Sequence, residues 1–392
     1  MTFSNFIVNR NTSKIVLGVD GLLKEVVKNE PAIEFNIDGS CRGLLVEPAA
    51  TNFFIKSEDF SYPGTGFISD NVSVSVDLDV APDGSRTADR VIENNASSRH
   101  RLQRNLPFPF TSGSIYTLSV YAKSSNRNTY LNASFAINAA AGFDLSAGTV
   151  NLVSGSARIE DVGNGWYRCS VTGTATASGS ITFYIQNQIG TTEVSYTGDN
   201  SSYVTYWGAQ MEEGPIATSY IPTTDELGGV TREKDDISLT SASSLIGQKN
   251  TGGTLYVEVD WRNLSGEFQN LLTVSDGSSS NRLFIYKDLP STLSMATVVN
   301  SALLTDQGQD SSAYSGIQKI AFAYNSNDFE LYRNGFSISK DPSGSLATLA
   351  TLTTIDLGQN QGAGSQANMH IRTAAIYNKR LSNSELAELT TI

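Results

Sequence analysis

Glu258 and Asp260 form the acidic pair whose spacing comes nearest to a catalytic arrangement. Alternate residues of an extended strand point to the same side, so these two carboxyl groups would share one face. Glycoside hydrolysis uses a carboxylate pair of this kind, one as general acid and one as base or nucleophile. Positions 262–264 hold Arg, Asn and Leu, so the further carboxylate that would complete such a site is missing. We therefore predict a strand face with solvated charges and no enzymatic activity.

Histidine offers little further chemistry, because the chain contains only His100 and His370. Neither residue lies at a metal-ligand spacing from a cysteine or from the other histidine, so the sequence provides no zinc motif. No nucleophile motif accompanies either histidine, and no Gly-rich phosphate loop joins a strand to a helix. These residues indicate neither triad catalysis nor nucleotide binding.

Two cysteines, Cys41 and Cys169, are too few for the disulfide scaffold of a secreted protein. We interpret them as buried thiols of a protein that is assembled in a reducing cytoplasm. Residues 1–11 lack the charged-then-apolar pattern of a signal peptide, and no apolar run is long enough to span a bilayer. We expect no membrane insertion, and an exit from the cell that needs no export signal, such as lysis.

The overall charge excludes one large class of partners. The formal net charge is −12, and no basic stripe interrupts it, so binding to nucleic-acid phosphates is not expected. Only 17% of the residues are charged, whereas Gly, Ser, Thr and Asn are plentiful. This composition is typical of many short strands that are joined by polar turns.

Alternation of apolar and polar residues recurs along most of the chain, with turn residues between the runs. The clearest runs cover residues 72–76, 116–120, 131–135, 181–185 and 320–324. Asn164-Gly165 and Asn334-Gly335 are tight-turn dipeptides of β-hairpins. Ser382 and Glu385 are spaced as a capping box at the start of a short helix. The pattern predicts an all-β protein built from antiparallel sandwiches, with a short C-terminal helix.

Changes in composition divide the chain into consecutive parts. Residues 1–50 hold short strands that are broken by turns, and we expect an N-terminal attachment or packing segment. Residues 51–224 are predicted to form the first sandwich, 225–250 a polar linker, and 251–392 the second sandwich. The apolar piece at 237–239 of the linker is expected to pack as an edge strand.

Two stretches resemble a known family of modules. Residues 207–214, followed by 218–223, resemble the closing strand of a carbohydrate-binding-module-like β-sandwich that is common in tailed-bacteriophage fibre and spike proteins. Residues 43–48 and 51–53 resemble the segment that precedes this module. The resemblance implies that 51–224 is such a sandwich and that the chain is a virion protein.

The second half carries another resemblance. Residues 329–335, with 375–386 much later, resemble strands of the laminin G-like and concanavalin A-like jelly rolls. This implies a lectin-like jelly roll for residues 251–392, and therefore an all-β chain of two antiparallel β-sandwich (jelly-roll) domains with a small N-terminal β segment.

Together the two resemblances imply a structural virion protein of a tailed phage. It would be a fibre, spike or appendage subunit that displays glycan-binding domains for host adhesion. Its partners would be other virion proteins, host surface glycans and further copies of itself, with a trimer favoured because phage fibres are usually threefold. Two alternatives stay open: a glycan-cleaving depolymerase with lectin-like domains, and a purely architectural decoration or connector subunit.

The strand alternation also suggests where a sugar would bind. Tyrosines and amides lie opposite the expected core in the first sandwich, and tyrosine rings can stack on sugars while amides bind hydroxyls. The predicted glycan-binding residues are Tyr121, Tyr130, Asn132, Tyr184, Gln186, Tyr206 and Gln210. Trp166, Trp207 and Met211 are expected to be structural. The alternative interpretation is that this tyrosine- and amide-bearing face is exposed to solvent or covered by a neighbouring subunit.

By resemblance, a structural calcium ion is expected between the first and last strands of the first sandwich. Its oxygen ligands would come from Glu58, Asp59 and Glu212. Ordinary surface carboxylates are the alternative interpretation. No other cofactor is expected.

Overall fold

The computed structural model describes residues 6–61, 66–246, 252–262, 268–288, 292–310, 316–360 and 366–392. The side chains of Phe135 and Ile181, which the alternation assigns to the core, lie outside the described part. Strands dominate the chain and their ladders are antiparallel, which confirms the predicted all-β fold class.

The elements of the first half run from the N-terminus to the closing strand of the first sandwich. In chain order they are β1 (Ile7–Asn9), β2 (Lys14–Leu17), β3 (Leu23–Val26), β4 (Ile33–Phe35), β5 (Cys41–Val46), β6 (Ala50–Asn52), β7 (Phe67–Asp70), β8 (Val72–Asp79), β9 (Ala88–Glu93), β10 (Ser97–Ser98), β11 (His100–Phe110), β12 (Ile115–Ser125), β13 (Asn128–Asn132), α1 (Ser134–Ile137), β14 (Ala140–Asp144), β15 (Thr149–Ser154), β16 (Ser156–Gly163), β17 (Trp166–Thr174), β18 (Gly179–Gln188), β19 (Tyr196–Thr197) and β20 (Tyr203–Glu213).

The second half continues from the linker to the C-terminal helix. Its elements are β21 (Val230–Arg232), β22 (Asp236–Leu239), β23 (Gly253–Trp261), β24 (Gln269–Ser275), β25 (Arg282–Asp288), β26 (Thr292–Val299), β27 (Ala302–Asp310), β28 (Ile317–Asn325), β29 (Asp328–Arg333), β30 (Phe336–Asp341), β31 (Thr354–Leu357), β32 (Met369–Tyr377) and α2 (Asn383–Thr390).

The first sandwich consists of two six-stranded sheets. Sheet I has the order β15-β14-β13-β18-β11-β7, and sheet II has the order β16-β17-β12-β20-β9-β8. Side chains from the inner faces of both sheets form one core, which includes Leu118, Val120, Leu131, Phe183 and Ile185. These are the residues that the alternation assigned to the core, because successive side chains of a strand point to opposite faces.

The second sandwich consists of two seven-stranded sheets. Sheet III has the order β1-β22-β31-β24-β25-β26-β27, and sheet IV has the order β30-β29-β28-β23-β32-β5-β4. Strands from the N-terminal 50 residues and from the linker therefore belong to this sandwich. Phe6, Val8, Leu44, Val46 and Ile237 all lie in its core. The first sandwich is thus inserted between strands of the second one.

The consecutive division at residues 50 and 250 does not match these sheets. Short strands such as β4 and β5 bury little surface alone, so they pair with a sheet that formed from distant sequence. The apolar piece at 237–239 does form a strand, but β22 lies between β1 and β31 and is not an edge.

A third apolar cluster covers the outer face of sheet II. The β2–β3 hairpin supplies Leu17 and Leu23, which pack with Tyr121, Trp166 and Trp207. The two tryptophans are 1% and 2% exposed, which confirms that they are buried. The N-terminal hairpin therefore attaches the first sandwich to the strands of the second.

The turn and helix-cap residues that the sequence predicts adopt the expected local geometry. Both residues of Asn164-Gly165 and of Asn334-Gly335 have positive φ, as such hairpin turns require. The hydroxyl of Ser382 accepts a hydrogen bond from the Glu385 amide at 3.3 Å, and the Glu385 carboxylate accepts one from the Ser382 amide at 2.7 Å. The predicted capping box is confirmed. No helix in the described ranges is long and apolar enough to cross a membrane.

Two local expectations are corrected. Strand β13 ends at Asn132, because its Oδ1 accepts a hydrogen bond from the Ser134 amide at 3.1 Å and the chain turns into α1. The alternation predicted for 131–135 therefore stops early. Cys41 is exposed at the start of β5, whereas Cys169 is buried, so only one of the two thiols lies in a core.

We predict that a fragment comprising residues 251–392 does not fold alone. It lacks β1, β4, β5 and β22, which supply strands to both sheets and part of the shared core. Thermal unfolding followed by circular dichroism should show a cooperative transition for the whole chain and none for the fragment. A cooperative transition of the isolated fragment would contradict the inserted arrangement.

Candidate functional site

The outer face of sheet I holds several of the predicted sugar-binding residues, but the chain itself covers them. Those on this face are Tyr130, Asn132, Tyr184 and Gln186. Segment 189–195 approaches the sheet, and the Glu193 carboxylate accepts hydrogen bonds from Asn132 Nδ2 at 3.3 Å and from Gln186 Nε2 at 3.0 Å. Tyr130 is 2% exposed and Gln186 is fully buried. Both therefore lack the open surface that a sugar ring needs.

Gly142 of β14 explains why the segment comes so close. A Cβ at this position would lie 1.8 Å from the carbonyl oxygen of Thr191. Asn151 Nδ2 donates a hydrogen bond to the same oxygen at 3.2 Å, and Arg99 pairs with Glu193 at 3.1 Å. Burial, together with the charge of Glu193, raises the pKa of Tyr130.

Tyr184 is the one predicted sugar-binding residue that stays half-buried. The guanidinium carbon of Arg101 lies 4.3 Å from the centre of its ring. Arg101 is held there by Asp70 at 2.9 Å. One face of this ring is therefore already occupied by a cation–π contact.

Tyr121 and Gln210 lie outside the first core as expected, yet both are buried. Tyr121 packs against Trp207 and Tyr220, with ring centres 5.3 and 6.0 Å apart. Gln210 donates to Glu212 at 2.6 Å and accepts from the Ile221 amide at 2.8 Å. The segment after β20 and the N-terminal hairpin fill this face.

Tyr206 lies on the opposite side of β20 from the one that the alternation predicts. Gly208 has φ = +60° and the register between β12 and β20 shifts there, which reverses the alternation along the strand. Tyr206 consequently lies with Met211 in the first core, and its hydroxyl is 2.8 Å from that of Thr129. Trp207 faces the opposite side.

The predicted calcium ligands do not meet. Glu58 and Asp59 line a cleft of about 550 Å³ with Asp77 and Asp89, where burial raises the pKa of Asp89 to about 6. Glu212 instead accepts hydrogen bonds from the amide and hydroxyl of Thr218 at 2.9 and 2.7 Å, and its burial raises its pKa. Within the described ranges, His, Cys, Asp and Glu side chains form no group that could hold a metal ion. Glu58, Asp59 and Glu212 therefore do not form one ligand set.

Glu258 and Asp260 do share the outer face of sheet IV, as their spacing predicts. Arg372 Nε lies 3.0 Å from Glu258, and Arg42 Nε lies 3.2 Å from Asp260. Each carboxylate is thus half-buried and paired with an arginine, where solvated charges were expected.

The two histidines have structural partners. His370 Nε2 lies 2.6 Å from the Glu34 carboxylate, and burial lowers the pKa of the imidazole despite that contact. The ring nitrogens of His100 lie 2.9 and 3.3 Å from the carbonyl oxygens of Asn71 and Tyr196. His370 lies opposite Asp260 in the ladder of β23 and β32, but its Nε2 contacts Glu34, whereas Asp260 pairs with Arg42.

A groove of about 600 Å³ lies between the two sandwiches, and we call it the inter-sandwich groove. Its apolar lining comes from Pro48 after β5, from Pro215 and Ile216 after β20, and from Phe268 before β24. The ring of Phe268 is half-buried and stacks on Tyr286, with centres 4.6 Å apart and an interplanar angle of 26°. This contact fixes the orientation of the aromatic plane.

Polar side chains complete the lining of the inter-sandwich groove. Gln269, Gln366 and Asn368 contribute amides, Glu213 contributes an exposed carboxylate, and Thr218 and Lys234 contribute a hydroxyl and an ammonium group. The amide of Asn368 donates to Gln269 Oε1 at 3.3 Å, and Gln366 Nε2 donates to the Asp235 carbonyl at 2.7 Å. Asn368 is 6% exposed, and its Oδ1 has no hydrogen-bond partner among the described residues. An aromatic plane, amides and a free acceptor together suit a hydroxyl-rich ring.

Sequence reasoning missed this groove because its walls come from separated parts of the chain. Phe268 and Asn368 have no local signal, since isolated apolar and amide residues are common in strands and turns. The two family-like stretches do meet here, however. Residues 43–53 supply Pro48, and residues 207–223 supply Glu213 and the turn that follows it.

Comparisons with known proteins give distant similarities. No family model matches the chain, and no curated protein matches it. The CBM40 domain of a Ruminococcus gnavus IT-sialidase, bound to α2,3-sialyllactose, is 16% identical, with a TM-score of 0.32 over 36% of this chain and 84% of that chain. The NanB sialidase of Streptococcus pneumoniae is 14% identical, with a TM-score of 0.33 over 39% of this chain and 26% of that chain. A SAP-like pentraxin of Limulus polyphemus is 10% identical, with a TM-score of 0.31 over 36% and 70%. At these low scores, function has to be judged from the chain's own residues.

Gly142→Ala should lift segment 189–195 from sheet I, because the added Cβ would collide with the Thr191 carbonyl. We expect a loss of stability on the order of 1–3 kcal/mol and faster amide hydrogen exchange within the segment. Gly190→Ala is the matched control, since a Cβ there would meet no atom within 4 Å. Equal exchange rates in the two variants would contradict the close packing.

Proposed function

We propose that this chain is a carbohydrate-binding protein and that the inter-sandwich groove is its sugar site. The observation that carries the proposal is the Phe268 plane, held by Tyr286, next to amides and the unpartnered Asn368 Oδ1. A volume of about 600 Å³ falls within the usual range for a small-ligand site.

The expected binding mode follows from these side chains. The C–H face of a sugar ring would pack on Phe268, while its hydroxyls bond to the amides of Gln269 and Gln366. A buried acceptor without a partner is unfavourable, so a hydroxyl that donates to Asn368 Oδ1 would add both affinity and specificity. Glu213 would accept a further, charge-assisted hydrogen bond.

We propose binding without catalysis. Glu258 and Asp260 are each engaged by an arginine, so neither carboxylate is free to contact a substrate. A depolymerase would need at least one carboxyl group that is free to exchange a proton with its substrate.

The biological setting that we propose rests on the sequence resemblances of residues 43–53, 207–223 and 375–386. The chain would serve as a fibre, spike or appendage subunit of a tailed phage, assembled in the host cytoplasm, with the groove turned toward host surface glycans. It would contact other virion proteins and associate as a homotrimer.

Antibody labelling of purified particles by electron microscopy tests this setting. We expect label on an outer appendage, and light scattering of the purified protein at three times the mass of one chain. Particles that carry no label would contradict the virion role, and label confined to the head surface would favour a decoration subunit.

Phe268→Ala should weaken glycan binding on the order of tenfold, because truncating a central aromatic contact typically costs more than 1 kcal/mol. The oligosaccharide is first selected on an array of neutral and acidic bacterial glycans, and its affinity is then measured by calorimetry. Phe336→Ala is the matched control, since that ring is 75% exposed on the β29–β30 hairpin. Unchanged affinity in Phe268→Ala, or an array without any binding, would contradict the proposal.

A further inference from the structure

The inter-sandwich groove continues beyond the turn that follows β20. A second cavity of about 70 Å³ shares Pro215 and Ile216 with the groove. Its polar lining includes Arg158, Glu160, Arg168, Ser170 and Arg262. One small cavity thus adjoins the proposed sugar site, and its lining includes three arginines and one carboxylate.

The charges around this cavity contrast with those of the whole chain, whose formal net charge is −12. Arg158 is paired with Glu160 at 3.2 Å, and Arg262 is paired with Glu47 at 2.5 Å. Arg168 has no carboxylate within 4.0 Å among the described residues. One buried guanidinium at the cavity therefore lacks a direct counter-ion.

Arg168 is held in place by neutral groups. It is 5% exposed, and it donates to the Thr218 carbonyl at 2.5 Å and to Ser119 Oγ at 3.1 Å. Its guanidinium carbon lies 5.2 Å from the centre of the Tyr121 ring. These contacts fix the fork of the guanidinium, so it does not need to reorganise in order to meet a ligand.

Two buried donors at the cavity have no acceptor within the part of the chain that the structure describes. These are Arg168 Nε and Arg262 Nε, and the Arg262 side chain is only 6% exposed. An unsatisfied donor on a buried cation is costly, which favours an acceptor that the chain itself does not supply.

The pKa of Glu160 reflects the positive charges of the arginines around this cavity. Burial alone would raise the pKa of this carboxyl group, yet its pKa is lowered to about 2. The opposing charges are those of Arg158, Arg262, Arg42 and Arg168. An additional negative group at the cavity would be attracted by the same arginines and repelled by Glu160 itself.

We propose that this cavity receives the anionic group of an acidic glycan, with Arg168 as the residue that selects it. The inference rests on the proposed function, because the sugar rings of the same ligand would lie in the inter-sandwich groove. A volume of about 70 Å³ is too small for a sugar ring but accommodates about two water molecules or one carboxylate. Arginine suits this role because its planar fork binds carboxylate, sulfate and phosphate oxygens in a bidentate manner.

Calorimetry with matched oligosaccharides tests the inference. The probes are a glucuronate-containing oligosaccharide, the same compound with its carboxyl groups reduced to hydroxymethyl groups, and a sulfated counterpart of the neutral form. We expect the acidic forms to bind at least about tenfold more tightly than the neutral form at low salt, and less so at about 0.5 M salt. The better of the two acidic probes distinguishes a carboxylate from an ester anion.

Two variants test whether Arg168 causes the preference for acidic probes. Arg168→Gln should bind the acidic probes only as tightly as the neutral probe. Arg90→Gln is the control, since that arginine lies on β9, three strands away from β17 in sheet II, and pairs with Asp79 of β8. A preference for acidic probes that persists in Arg168→Gln would overturn the assignment.

The wild-type comparison decides the matter even if Arg168→Gln fails to fold. Equal affinity for the acidic and neutral probes would overturn the inference while leaving the groove as a sugar site, because water alone would then fill the cavity. Absence of binding to every probe would overturn both proposals.

Discussion

Glu47 is the buried charge on which the arrangement of the two sandwiches depends. Its side chain is fully buried, and Lys14 Nζ, Arg232 Nη2 and Arg262 Nη1 lie 3.1, 3.5 and 2.5 Å from its carboxylate oxygens. Its amide donates to Asp235, which also binds Lys14 at 2.5 Å. Burial alone would raise the pKa of Glu47, but the surrounding cations lower it well below its ordinary value. Because an uncompensated charge here would be very unfavourable, the N-terminal hairpin, the linker and both sandwiches are held in one geometry.

This constraint explains why the candidate site lies between the sandwiches. The outer faces that would be open in an isolated module are covered, one by segment 189–195 and the other by the β2–β3 hairpin. The inter-sandwich groove, in contrast, has walls from both units, and its geometry is fixed by the ion pairs behind it. Arg262 connects the buried ion pairs to the candidate site, since it binds Glu47 and lines the small cavity next to the groove. A preformed site of this kind loses little conformational entropy on binding.

The alternation of apolar and polar residues predicted the features that depend on neighbouring residues alone. Alternation assigned residues such as Phe183 to the first core, because the period of a strand is built into its backbone. It failed at Gly208, where a positive φ and a shifted register reverse the faces. The pairing of Leu44 with a sheet formed more than 200 residues later has no local signature. The same holds for the polar segment 189–195 over a polar face, and for Phe268 in the groove. The family-like stretches contribute residues to the groove, but only the fold brings its walls together.

A crystal structure of the protein with its best-binding oligosaccharide would show directly where the sugar lies. We expect a sugar ring parallel to the ring of Phe268 in the inter-sandwich groove. One of its hydroxyls should lie within hydrogen-bond distance of Asn368 Oδ1. A sugar bound on the outer face of sheet I near Tyr184, with the groove unoccupied, would contradict it.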